Sequence, residues 1–367
     1  MVITHLGRGR ATGEQRRVES WSRLLTSCGA EVYRVGLLSE AARTVPTPAD
    51  LYRVAAGRTS PETLAWSSRL VTNRIRVIGP DLIVSVSTRA YHPTFRQLAP
   101  VVLDYVDSLA GSYRQRSDLA GSSVKGLAYA ALASMHHRIE QPGRLPAVRR
   151  VAAGLFDAET LAADWFPIIA WDFRETRPET ADHDFVFVGN LGYLPNVAAL
   201  RFLSSAWPEF RSRLPRCTLL VAGRHPPPQV TALAARHGWT LVPDFQDIFD
   251  VLGRGLVSLA PVEHLSGIST KVLDSAAMGV AQVVTTAALR GVAPGFPAVV
   301  ADGQAGFSRA AVDLLIDEPR RRDLARAGRA EMQRSYSIAK WQPWVRDLLS
   351  PSLQPHQDPD PSRSRRP

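Results

Sequence analysis

GISTKVLDSAAMGVAQVVTT, from Gly267 to Thr286, is the stretch that decides the fold. It reads as a helix from about Ser269 to Met278, stopped by Gly279, then a buried strand over Ala281–Thr286. The helix starts with Ser269, Thr270 and Lys271, in a chain with only three lysines against 41 arginines. A helix N-terminus presents unpaired backbone N–H groups and a partial positive charge, which suits a diphosphate. Asp274 follows one turn on, where a carboxylate can accept both hydroxyls of a ribose. The same residues also fit a surface helix capped by Ser and Thr, with an ordinary i,i+3 Lys271–Asp274 pair.

Upstream the pattern repeats. Phe185–Val188 reads as a strand and Gly189-Asn190-Leu191-Gly192 as a tight loop, with a helix from Pro195 to about 210. Strands follow at Cys217–Gly223, Trp239–Val242 and Leu256–Pro261. The polar stretch DFRETRPETADHD, 172–184, separates this unit from another that alternates in the same way. There Val2–Leu6 is a strand, Gly7, Gly9 and Gly13 form a glycine-rich loop, and Glu14–Thr26 has helical spacing. Glu31–Val35, Leu82–Val86 and Val101–Asp104 are further strands, and helices fall at about 62–78 and 121–140. Such alternation predicts parallel sheets with helices on both faces. The last 18 residues, rich in Pro, Ser, Asp and Arg, have almost nothing to bury and are expected to be disordered.

Gly267–Thr286 resembles the nucleotide-sugar-binding segment of GT-B glycosyltransferases related to family 4 (group 1), with its G-x-x-x-K-x-x-E-A-x-A-x-G-x-P-V-V pattern. FVFVGNLGYLPNVAALRFL (185–203), LLVAGR (219–224), VSLAPV (257–262) and GFSRAAVDLL (306–315) follow in the family's order. PVVLDYVDSLAGSY (100–113) and Arg138-Ile139-Glu140 extend the likeness to the first unit. The resemblance implies an α/β GT-B fold, two Rossmann-like domains facing across a cleft. Residues 1–171 would bind the acceptor and 185–335 the nucleotide sugar, joined by linker 172–184. Helix 336–349 would cross back onto the first domain through Trp341, Trp344, Val345 and Leu348, and 350–367 would form a tail.

The implied activity is transfer of a sugar from a nucleoside-diphosphate sugar to an acceptor hydroxyl, with retained anomeric configuration, no metal and no cofactor. The expected donor site comprises Gly189, Asn190, Leu191, Arg224, Gly267, Ile268, Ser269, Thr270, Lys271 and Asp274. Val242–Phe245 would lie against the base. Gly9, Gly13 and Arg16 form the cleft loop of the first domain. The candidate catalytic residues are Lys271 together with Asp107 and His92. Asp104 and Asp107 would face the cleft to orient a hydroxyl or stabilise developing positive charge, or Asp107 or Ser108 caps a short helix. His92 is a cleft candidate or a structural histidine, and Arg224 either contacts phosphate or caps its loop. His136 and His137 point to different helix faces and form no metal pair.

Two departures from the family pattern stand out. The glutamate eight positions before the ribose acid is replaced by Ser266, with Glu263 and His264 just upstream as substitutes. Asn190 and Asn196 stand where an arginine and a lysine are usual. A degenerate sugar-nucleotide-binding relative and a GT-B sugar-nucleotide epimerase therefore remain alternatives.

Composition limits the rest. Hydrophobic residues are 45% and charged residues 21%, which excludes bulk disorder, and no apolar run is long enough to span a bilayer. The opening MVITHLGRGR lacks the apolar stretch of a secretory signal, so a cytoplasmic protein is expected. Cys28 and Cys217 read as buried small hydrophobes. The net charge of +10 is spread over both halves without a nucleic-acid motif. It reads as coding bias, leaving contact with the inner face of a membrane open. The acceptor is a small molecule, a glycan or a lipid-linked glycan, and nucleic acid is not expected as a partner. The sugar, base and oligomeric state are not encoded in any motif.

Overall fold

In the computed structural model, residues 1–7, 13–40, 45–169, 181–263 and 267–350 are described. Gly9, His264, Ser266, most of the 172–184 segment and the tail lie outside them. The first sheet contains β1 (Val2–His5), β2 (Tyr33–Gly36), β3 (Ile83–Val86), β4 (Val101–Asp104), β5 (Arg149–Ala152) and β6 (Asp164–Trp165). Its order is β2-β1-β3-β4-β5-β6, all parallel. The second contains β7 (His183–Val188), β8 (Leu219–Gly223), β9 (Thr240–Pro243), β10 (Gly255–Ala260), β11 (Ala281–Val284) and β12 (Val299–Val300). Its order is β12-β11-β10-β7-β8-β9, also parallel. Both are doubly wound α/β sheets, as the resemblance implied. β7 starts two residues earlier than the sequence pattern indicated.

The strands read as continuous apolar runs because helices cover both faces. In β8, all five residues of LLVAG are buried. Reversals of strand order fall between β1 and β3 and between β7 and β10, where the loops leaving the strands diverge and open a crevice. The helix Thr270–Met278 follows β10 and ends at Gly279, whose φ of 72° is accessible to glycine at little cost. The expected helix at 62–78 is broken: a 3-10 turn over Pro61–Ala65 precedes the helix Ser68–Ile78, with extended Trp66 between them. The segment after β4 is a helical hairpin, Leu109–Ala120 and Val124–Glu140, the second matching the helix expected at about 121–140 and the first capped by Ser108.

The final helix, Ile338–Leu348, docks on the first domain. Trp341, Val345 and Leu348 are buried with Ile3, Val18, Trp21 and Phe166. Trp344 stacks on Phe166 with centroids 5.0 Å apart, and Trp341 meets the same ring edge-on at 5.2 Å. No helix among the described residues is long and apolar enough to cross a membrane.

Candidate functional site

The C-terminal ends of the two sheets face each other, and the corner at residue 270 lies between them. Ser269 occupies the N-cap position of Thr270–Met278 but its side chain makes no capping bond. The Val272 N–H donates to the Ser269 carbonyl at 3.1 Å, and Ser269 leaves the N–H groups of Thr270 and Lys271 uncapped. Lys271 is buried. Its Nζ donates to Asn196 Oδ1 at 2.7 Å and sits 4.2 Å from the centroid of the Phe187 ring. Burial pushes the ammonium down to about 7. Asn196 Nδ2 in turn donates to the Asn190 carbonyl at 2.8 Å, and the Gly192 N–H donates to Asn190 Oδ1 at 3.0 Å. One neutral amide thus ties the lysine to the glycine-rich loop.

The closeness of that loop requires glycine. A Cβ on Gly223 would lie 1.8 Å from the Gly189 carbonyl oxygen, and one on Gly189 would lie 2.7 Å from Asn196 Nδ2. The Leu191 side chain points into the core, and its N–H donates to the Arg224 carbonyl at 2.9 Å, so this residue offers the site only backbone. Arg224 is half-buried at the same strand end.

The i,i+3 Lys271–Asp274 pair is not formed. Asp274 reaches across the cleft instead, where both its oxygens accept from Arg16 Nη1 at 2.9 and 3.0 Å. Asp274 is 2% exposed and Arg16 35%. Burial pushes the Asp274 carboxyl up to about 6, with Arg16 opposing. A second cross-domain tie lies beside it: Asp157 Oδ2 accepts from the Gly267 N–H at 2.7 Å, and Oδ1 from the Ser108 N–H at 3.2 Å. Burial, and then the neighbouring Asp107, push Asp157 up to about 6. The N–H groups of Leu155 and Phe156 donate to the carbonyls of Gly291 and Arg290, extending this seam. Gly267, at φ 81°, packs so closely on the first domain that a Cβ would lie 3.0 Å from Asp107 Cβ.

Asp107 is half-buried in the cleft, and its surroundings raise its carboxyl above the usual range, first through desolvation. The helix cap next to it is Ser108, whose Oγ accepts from the Gly111 N–H at 3.0 Å. Asp104 does not face the cleft, contrary to the expectation from sequence. It is fully buried, accepting from Arg17 Nε at 2.5 Å, Trp21 Nε1 at 2.6 Å and the Val106 N–H at 2.9 Å. Arg17 makes this pair from the inner face of the helix Gly13–Ser27, which Gly13 opens.

His92 is buried with Trp66 and Phe95, and its Nδ1 lies 2.8 Å from Thr94 Oγ1, where it caps a short 3-10 turn. His136 is buried 3.6 Å from Glu62 and stacked on Tyr113, while His137 is exposed. Val242–Phe245 follow at the outer edge of the second sheet, with Asp244 at φ 50°. Glu263 is exposed at the rim. Asn196 and Asp157 are the site residues absent from the sequence expectation. Asn196 had a signal in its replacement of a basic residue; Asp157, 110 positions from Gly267, had none.

The fold and the paired strand-end loops define a two-domain GT-B protein. Residues 182–327 match the Glycosyl transferases group 1 family model. Among solved structures the chain is similar to sucrose-phosphate synthase from Thermosynechococcus elongatus (13% identity, TM-score 0.68, covering 95% of this chain and 97% of that one). It is similar to HepE from Anabaena, solved with UDP and glucose (11%, 0.63, 95% and 99%). It is also similar to an S. aureus TarM mutant solved with fondaparinux, α-GlcNAc-glycerol and UDP (8%, 0.59), covering 77% of this chain but only 58% of that one. At these identities the structural likeness concerns the fold. No curated protein matches the sequence.

Proposed function

We propose that this chain is a glycosyltransferase that moves a sugar from a nucleoside-diphosphate sugar to an acceptor hydroxyl, with retention and without a metal. The observation that carries this is the corner in which an uncapped helix N-terminus, buried Lys271 and acid Asp274 occupy consecutive turns at the strand-order reversal. The diphosphate would lie over the first turn, with Lys271 and the N–H groups meeting its charge as the glycosidic bond breaks. Asp274 would hold the pentose hydroxyls.

The acceptor would enter from the 1–171 side, where Asp107 faces the second domain. Closure of the cleft would limit loss of the donor to water. Cations supplied by the chain itself take the place a metal would have at the diphosphate. Asp182 and Asp184, spaced D-x-D, are taken up by Arg254 and Thr218 at the opposite end of β7 from the cleft. The proposal includes a cytoplasmic protein whose acceptor is a small molecule, a glycan or a lipid-linked glycan at the inner membrane face.

The test is a thermal-shift panel of nucleoside diphosphates and their sugars, followed by donor hydrolysis with and without a chelator. One base series should raise the melting temperature selectively, and hydrolysis should survive the chelator. An equal response to every anion, or equal stabilisation of Lys271→Ala, would count against the site.

A further inference from the structure

We infer that Arg16 makes recognition of the pentose conditional on a diphosphate, so that the site rejects nucleosides and admits nucleoside diphosphates. This rests on the donor site proposed above. In the structure the acid that would hold the two pentose hydroxyls already has a partner, because both Asp274 oxygens accept from one Arg16 nitrogen at 2.9 and 3.0 Å. A pentose cannot use those oxygens until Arg16 leaves them.

Leaving is costly for one class of ligand and not for the other. Asp274 is 2% exposed, so a nucleoside would exchange a charge-assisted pair for neutral hydrogen bonds and leave a buried carboxylate without its cation. A nucleoside diphosphate brings its own anion. The first turn at Ser269–Lys271 lies one helical turn, about 5 Å, from Asp274, so a diphosphate placed there comes within reach of the displaced guanidinium. Arg16 can make that move: it is one-third exposed, in the first turn of Gly13–Ser27 on the opposite domain, with a long unbranched stem. The arginine is thus a competitor for the pentose and a partner for the diphosphate, and selectivity comes from the competition as much as from the attraction. Its exchange also couples ligand entry to the two domains, since the pair it breaks and the contact it makes both span the cleft.

The experiment is calorimetric titration of UDP, GDP, ADP and CDP, each beside its nucleoside, into the full chain and its Arg16→Ala, Arg16→Gln and Asp274→Asn variants. Circular dichroism verifies that each variant is folded. For the preferred base, the unsubstituted chain should bind the diphosphate at least about 1,000-fold more tightly than the nucleoside. Both Arg16 variants should bind the nucleoside about tenfold more tightly and the diphosphate about tenfold more weakly, so the ratio falls about 100-fold. Asp274→Asn should lose nucleoside binding, and adding Arg16→Ala to it should not restore any. Arg16 variants that weaken both ligands alike, or leave the ratio unchanged while the diphosphate binds tightly, overturn this inference alone. Absence of diphosphate binding to the unsubstituted chain overturns it together with the donor site.

Discussion

The sharpest consequence of the site concerns protons. Lys271 is buried against Phe187 and a neutral amide, and burial pushes its ammonium down to about 7. A diphosphate beside it would favour the charged form and restore an ordinary lysine pKa. Only the charged form pairs with the ligand, so binding above pH 7 must first protonate the amine. Apparent affinity should therefore fall about tenfold per pH unit above 7, or about 1.4 kcal/mol per unit. At pH 8 a site of pKa 7 is about nine-tenths deprotonated, and binding should take up about 0.9 proton. Calorimetry in buffers of different ionisation heat reads that number directly. Lys271→Met isolates the lysine, because titration of the diphosphate and of Asp274 persists in the variant and cancels in the difference. An affinity that stays flat from pH 7 to 9, or a Lys271→Met variant with the same slope, would refute the reasoning.

Three further outcomes are expected. Asn196→Asp places a carboxylate 2.7 Å from Lys271 Nζ and turns an acceptor toward the Asn190 carbonyl that Nδ2 now donates to, so diphosphate affinity should drop at least about 100-fold by calorimetry with no gain in melting temperature. Asp104→Ala leaves the fully buried Arg17 charge without its carboxylate and should cost about 3–5 kcal/mol in urea unfolding, with little change in the preferred nucleotide. Glu140, pushed up to about 7 by burial above the Ser108 Oγ and the N–H groups of Leu109 and Ala110, keeps a proton that the unfolded chain loses near pH 4.5. The native state binds more protons between those values, so stability should fall as pH rises through them, by at most about 1.4 kcal/mol per unit. The difference between the unsubstituted chain and Glu140→Gln in urea melts at pH 5 to 8 should show that slope; parallel curves would remove Glu140 as its source.

Legible in the residues alone are the alternation of strand and helix in both units, the stop at Gly279, a helix start at about Ser269 and the tryptophans that return the last helix to the first domain. These follow from local rules: apolar runs, glycine at positive φ, and spacing along a helix. The family resemblance marked Lys271, Asp274 and the Gly189–Gly192 loop, which follow strand ends. What each polar side chain meets came from packing. Asp274 turns from its helical neighbour to Arg16, Asp104 turns inward to Arg17 and Trp21, and Asp157 reaches Gly267 across 110 residues. Local sequence fixes which face of an element a residue occupies. Its partner depends on which face of another element is packed against it, and in a two-domain cleft that partner comes from a distant part of the chain.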